Sequence, residues 1–332
     1  MKIREAAYKY YFYFMQERMN MFWKKNVDSI SKYTDDPILA KHKFTNVYRA
    51  SDRVSQYLIK NVIYNSENVF DEKDVILRII IFKIFNKIET WEYLENKLGA
   101  VSVKSFDVDK LSQVLSERRI TEPIFSAAYM MTGIHERYSQ YTSKHESWLR
   151  MVKQEIINEK RIDKIIKAKS LEEVYKILRE CAFIGDFLAF QYAVDLNYST
   201  VIDFDENSFV KAGIGAIRGI KKCFIEIGKF SFEDCIKYTQ DNLSRYQEEF
   251  GYTGFENLWG REPKLIDLQN CFCETDKYLR VKLPELQVDN TRIKQKFTTS
   301  KGPIDFYFPP KWNINHYLQK CNTKNTEGLT LF

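Results

Sequence analysis

Asn46, Arg49, Arg53 and Gln56 follow one another at steps of three, four and three. On a helix that spacing puts all four on one face, with Val47, Val54 and Leu58 opposite. Two guanidinium groups four residues apart, with Asp52 to orient one of them, make a fork suited to phosphate or sugar oxygens. A plain solvated face has the same pattern. A second polar stripe is Asp267, Asn270, Glu274 and Lys277 or Tyr278, with Leu268, Phe272, Thr275 and Leu279 on the reverse. It is either an ion-pair face or a pocket wall, in which Asn pairs with a base edge and Glu accepts from an exocyclic amine. Asp195 lies four residues after Gln191 and seven after Leu188, on a partly apolar face. A carboxylate there needs a partner or carries a raised pKa, so a buried structural group and a catalytic one both remain open.

Glycine is scarce, 12 residues with only 7 Pro, yet Gly185, Gly213, Gly215 and Gly219 fall close together. A helix ending near Glu180, a short turn with Ile184-Gly185 and a new helix from Asp186 make a helix–hairpin–helix spacing. Glycine at such a turn lets backbone N–H groups approach a phosphate; an ordinary helix–turn–helix with a glycine cap reads the same way. Ala212-Gly-Ile-Gly-Ala-Ile-Arg-Gly-Ile-Lys-Lys222 has glycines entering a helix, followed by Arg218, Lys221 and Lys222. That is a phosphate nest or a close helix contact.

These residues need helices to position them. The periodicity predicts helices over 1–30, 44–64, 71–98, parts of 108–150, 146–168, 171–180, 186–197, 206–212, 215–228, 231–249 and 264–280. Thr34-Asp-Asp-Pro37 is a start signal, Ser170 a cap and Gly99 a stop. The shortage of Gly and Pro weighs against sandwiches, barrels and Gly-rich dinucleotide folds. With 332 residues and 44% apolar content, the chain can build a core. The expectation is an all-α protein: one helical body over 1–283 with two interleaved lobes and a hairpin region at 170–224, then an irregular segment over 284–332.

A net charge of +6 permits a nucleic-acid partner without requiring one. Cys181, Cys223, Cys235, Cys271, Cys273 and Cys321 form no C-x-x-C, and the 4 His are scattered, so no metal site is expected. No cofactor is expected either. No signal peptide precedes the first helix, and the most apolar run, 75–85, is broken by Arg78 and Lys83. A reduced, cytoplasmic protein without a membrane partner is the expectation.

The stretch Leu178-x5-Ile184-Gly185-x-Phe-Leu-Ala189 resembles the hairpin of the helix–hairpin–helix DNA glycosylases, with Ala182-Phe183 replacing the usual Pro-Gly pair. Four further blocks resemble the α-glutamyl/putrescinyl-thymine pyrophosphorylases, a family that includes the helical domain attached to 5-hydroxymethyluracil DNA kinases. They are Arg18-Met-Asn-x-x-Trp23; Thr34-Asp-Asp-Pro37 with Phe44-Thr-Asn-Val-Tyr-Arg-x-x-Asp-Arg53; Gly185-x-Phe-Leu-Ala-x-Gln191 with Asp195-Leu-Asn-Tyr-Ser199 and Ala212-Gly-x-Gly-Ala216; and Ile266-Asp-x-Gln-Asn-x-x-Cys-Glu-x-x-Lys-Tyr278. They span about residues 18–280. No G-x-x-x-x-G-K-[ST] is present, so the kinase activity is not expected.

The resemblance implies a glycosylase-like helical fold and double-stranded phage DNA with hypermodified bases as partner. It implies a catalytic carboxylate at Asp205, by its distance from the hairpin glycine, or at Asp195, by its family block. Asn46, Arg49, Arg53, Gln191, Asp267, Asn270, Glu274, Lys277 and Tyr278 would line the base pocket. Gly185, Gly213, Gly215, Arg218, Lys221 and Lys222 would meet DNA. Without a lysine after the hairpin glycine, a monofunctional glycosylase is the first expectation. It would flip a hypermodified pyrimidine, such as glucosylated hydroxymethylcytosine, and hydrolyse its glycosidic bond in anti-phage defence. The alternatives are a transferase displacing pyrophosphate from 5-pyrophosphomethyl-uracil with an amine nitrogen, and a non-catalytic binder of modified DNA.

Overall fold

The computed structural model describes residues 1–28, 32–65, 69–127, 132–288, 296 and 302–318. The described residues are mostly helical, as expected. The chain divides into two compact units, 1–53 with 209–332, and 54–208.

In chain order, the first unit begins with strand β1 (Lys2–Ile3), helix α1 (Glu5–Asn26) and helix α2 (Pro37–Lys41). Asp36 starts α2 by accepting the amides of Ile38 and Leu39, with Pro in the first turn. The segment expected as one helix over 44–64 is not one. Residues 43–48 are non-helical, and a 3-10 turn occupies Arg49–Ser51. Helix α3 (Arg53–Tyr57) follows and widens into a π-turn at Leu58–Ile63. The cause is local competition: Asn46 donates its side-chain amide to the Ser51 carbonyl at 3.1 Å, and its backbone N–H to Asp52 at 3.0 Å. Asn46, Arg49, Arg53 and Gln56 therefore share no helix face.

The second unit continues with α4 (Glu72–Phe85), α5 (Ile88–Leu98) and α6 (Val108–Thr121). Asn86, at φ 46°, breaks the expected 71–98 helix between α4 and α5, because Asn tolerates the left-handed conformation better than most residues. Then come α7 (Lys144–Met151), a π-turn at Val152–Asn158, α8 (Arg161–Lys167), α9 (Leu171–Arg179) and α10 (Asp186–Leu196). Ser170 caps α9 by accepting the Glu173 amide, and Leu171, Val174 and Leu178 form its buried face. Residues 206–212 form turns instead of the expected helix. The core of this unit includes Phe82, Trp91, Trp148 and Tyr192, all fully buried.

The chain returns to the first unit with α11 (Ile214–Cys223), which ends earlier than expected in strand β2 (Phe224–Glu226). That strand pairs antiparallel with β1. Helices α12 (Phe232–Asp241), α13 (Leu243–Glu249) and α14 (Leu265–Lys282) complete the unit. Tyr8, Tyr11, Phe12, Phe14 and Phe22 of α1 are buried, and Tyr11 lies against Phe272 of α14 at 4.3 Å between ring centroids. Most of the aromatic excess is spent on packing of this kind. Residues 302–318 include a short 3-10 turn, Pro310–Trp312.

Candidate functional site

The first unit gathers most of the polar residues singled out in the sequence. The second stripe of α14 exists as read: Leu268, Phe272, Thr275 and Leu279 are fully buried on its inner face. Its polar side chains do not stand open as a pocket wall. They clamp the loop that follows α2. Asn270 donates to the Asn46 carbonyl at 2.9 Å and accepts the Thr45 hydroxyl at 3.1 Å. Glu274 accepts the Thr45 amide at 3.2 Å and pairs with Lys277 at 2.6 Å. Asp267 accepts the Arg49 amide at 3.2 Å and the Lys264 amide at 3.0 Å.

Tyr278 does not join this group. Its hydroxyl donates to Asp36 at 2.8 Å, as that of Tyr13 does at 2.9 Å. Burial works against the charged Asp36 carboxylate, but the two phenols and the helix amides outweigh it and hold its pKa below the usual range. Tyr278 thus anchors the start of α2.

The clamped loop presents Asp52. Burial raises its pKa from 3.8 to about 6, against the Asn46 amide and the charges of Arg18 and Arg49, while Glu274 pushes the same way as burial. Arg18 was not among the expected site residues. It donates to Asn46 Oδ1 at 2.6 Å and to the Thr45 carbonyl at 3.2 Å. Burial lowers its pKa, opposed by Asp52 and Glu274. Lys25 was missed as well. Its pKa is lowered by burial and by the charges of Arg18 and Arg53. Arg53 donates to the Gly302 carbonyl at 2.6 Å and the Pro303 carbonyl at 3.2 Å. The signal for Arg18 lay in the Arg18-Met-Asn block; periodicity gave none for Lys25.

Arg18 and Arg53 both act on Lys25 as like charges, and Arg18 shares Asn46 with Asp52, whose pKa burial raises to about 6. Like charges held together are relieved by an anion. A carboxylate near pKa 6 can accept a proton at working pH. Arg49 is buried and less open to a ligand, and Lys277 is tied to Glu274.

Gln191 and Asp195 lie in the second unit, both buried in α10. Asp195 has the partner its apolar face demanded: Lys83 Nζ at 3.1 Å, itself 2.8 Å from Asn86 Oδ1. With both partners enclosed, this is a structural ion pair linking α4 and α10. Asp205 is exposed and caps no helix; it accepts the Asn207 amide at 2.9 Å in a side-chain turn.

The glycine readings change too. Gly185 has φ −81°, and the left-handed residue of the hairpin is Phe183 at φ 66°. Its ring stacks on Trp148 at 5.1 Å and also lies against Tyr138 and His135, contacts that offset the strain. A Cβ on Gly215 would lie 2.3 Å from Cys273 Sγ, and one on Gly219 2.0 Å from the Phe272 carbonyl oxygen. Close packing of α11 on α14 explains these two glycines. Lys222 is buried against Asp276 at 3.0 Å and cannot meet DNA, whereas Lys221 is exposed and Arg218 half-buried. Gly213 precedes α11 at φ −73°.

Among the described residues no grouping of His, Cys, Asp and Glu could hold a metal ion. Cys181, Cys223, Cys235, Cys271 and Cys273 form no disulfide among the described residues, and Cys321 lies outside them. No described helix is long and apolar enough to cross a membrane.

The family model described as "5-hmdU DNA kinase, helical domain" matches residues 5–288. Among curated proteins, the 5-hmdU DNA kinase of Bacillus phage SP10 is 26% identical over 335 residues, covering 93% of this chain and 51% of that protein. The chain thus spans about half the length of that relative. No solved structure matches.

Proposed function

The chain belongs to the family of the 5-hmdU DNA kinase helical domain, and from that premise we propose that it is a DNA-modifying enzyme acting on a hypermodified pyrimidine. The reaction it fits best is transfer at the 5-methylene carbon of a uracil carrying a pyrophosphate leaving group. An amine nitrogen attacks that carbon; the C–N bond forms and the C–O bond breaks. Pyrophosphate departs with the electron pair and the amine proton passes to Asp52. The Arg18, Lys25 and Arg53 charges stabilise the departing anion. The observation behind this reading is that Asn46 joins Arg18, at 2.6 Å, to Asp52, at 3.0 Å, with Lys25 and Arg53 in the same unit.

Glycosidic hydrolysis is the second reading, supported by the hairpin turn with its left-handed residue at Phe183. It is weaker because Asp195 is sealed by Lys83 and Asp205 is exposed on a turn. Incubation with DNA carrying 5-pyrophosphomethyl-uracil and an amine donor separates the two. Pyrophosphate release with an intact glycosidic bond is expected. A free base with alkali-labile abasic sites would overturn the transfer reading in favour of hydrolysis.

A further inference from the structure

An open cavity of about 540 Å³ lies in the second unit, lined by Arg137, Tyr138, Tyr141, Arg150, Lys153 and Glu155 among others. Most of its charge is internally balanced. Arg137 pairs with Glu155 at 3.0 Å, and Arg150 with Glu146 at 3.2 Å and with Asp109. Glu159, also in the lining, pairs with Arg161. Lys153 is the exception. Its ammonium has no carboxylate partner among the described residues and reaches only the Phe106 carbonyl, at 3.5 Å. The Tyr141 ring, under the Arg150 guanidinium at 5.2 Å, carries a hydroxyl with no hydrogen bond among the described residues.

Lys153 and Glu155 stand on the π-turn Val152–Asn158, a rare distortion that is frequent at functional sites. The same turn reaches the hairpin. Glu155, fully buried, accepts the Ala182 amide at 3.0 Å and the Tyr138 hydroxyl at 2.8 Å. The Tyr138 ring lies 5.6 Å from that of Phe183. Meanwhile, the anion position at the start of α10 is occupied from within: Asp186 sits there, held by Arg179 at 2.5 Å and the Tyr175 hydroxyl at 2.9 Å. A phosphate approaching Gly185 would meet that carboxylate.

We propose that the cavity, which Lys153 and Tyr141 both line, receives a single phosphodiester of a DNA strand, with Lys153 as charge partner and Tyr141 as hydrogen-bond donor. An open site with a single cation outside its ion pairs suits one phosphate of a continuous strand better than a free polyanion. This inference rests on the DNA reading above, and its test separates the two.

Binding of double-stranded DNA is followed by fluorescence anisotropy over a salt series, for the full chain and its variants. Lys153→Gln weakens affinity several-fold at low salt and lowers the magnitude of the slope of log K against log salt by about 0.9, the release from one phosphate. Lys153→Arg retains both. Tyr141→Phe weakens affinity about threefold and leaves the slope unchanged. Wild-type affinity and slope in Lys153→Gln overturn the site; should that variant lose its melting transition, unchanged affinity in Tyr141→Phe does so. A lowered slope in a protein that makes no product from modified DNA leaves this site standing and removes the proposed reaction. Absence of DNA binding by the unaltered chain overturns both.

Discussion

Asp52 has two opposed effects, because the burial that makes it a base near neutrality also makes its ionised form costly. Its raised pKa gives a stabilisation that is full below pH 3.8 and is lost as pH rises through about 6. Asp52→Asn removes that cost while leaving an oxygen to accept the Asn46 amide. At pH 7.5 the variant is expected to be more stable by on the order of 1 to 3 kcal/mol in a denaturant titration. Its turnover is expected to fall at least a hundredfold. The unaltered enzyme's rate should rise with pH through about 6 and then level off; a rate that falls through that range would contradict Asp52 as base. Lys83 and Asp195 behave in the opposite sense. Lys83→Met strands a carboxylate in the core and is expected to destabilise the fold by about 3 to 5 kcal/mol. A Lys83→Met protein with normal melting but no activity would instead place the pair in the chemistry.

At the scale of elements, straight helices with one buried face were legible and backbone exceptions were not. The two faces of α14 follow from its 3.6-residue period, and Ser170 announced α9. The stretch 44–52 carried helical spacing, but its own Asn46 and Asp52 side chains bind the backbone and hold it out of a helix. The site was thus legible in its residue types and not in their arrangement. Asp267, Asn270 and Glu274 turned out to hold the loop, while Arg18 and Asp52 both bind its Asn46. Glycine illustrates the same limit, since type alone does not separate a turn from a contact. Gly219→Ala should force α11 away from the Phe272 carbonyl and cost several kcal/mol, on the scale of overpacked cores. Gly185→Ala, with open space around its Cβ and an ordinary φ, should change the melting temperature by only a degree or two. A large loss there would mean that the hairpin depends on glycine after all.

For the whole molecule, the sequence suggested one helical body with interleaved lobes, and the structure divides into a continuous unit, 54–208, and a discontinuous one. Periodicity is local and says nothing about which distant helices pair. The pairing of Lys2 with Glu226, which closes the discontinuous unit, lies beyond its reach. The continuous unit contains its own core, with Trp91, Trp148 and Tyr192 buried, so a fragment of residues 54–208 is expected to melt cooperatively in circular dichroism. A fragment of 209–332 lacks α1 and is expected not to. What the assembled chain does to a base is read by mass spectrometry of nucleosides and small molecules after incubation with 5-pyrophosphomethyl-uracil DNA and an amine. Pyrophosphate is expected together with a nucleoside whose 5-methylene carbon bears the amine nitrogen, both lost in Asp52→Asn. Unmodified nucleosides, or a released free base, would contradict the proposed transfer.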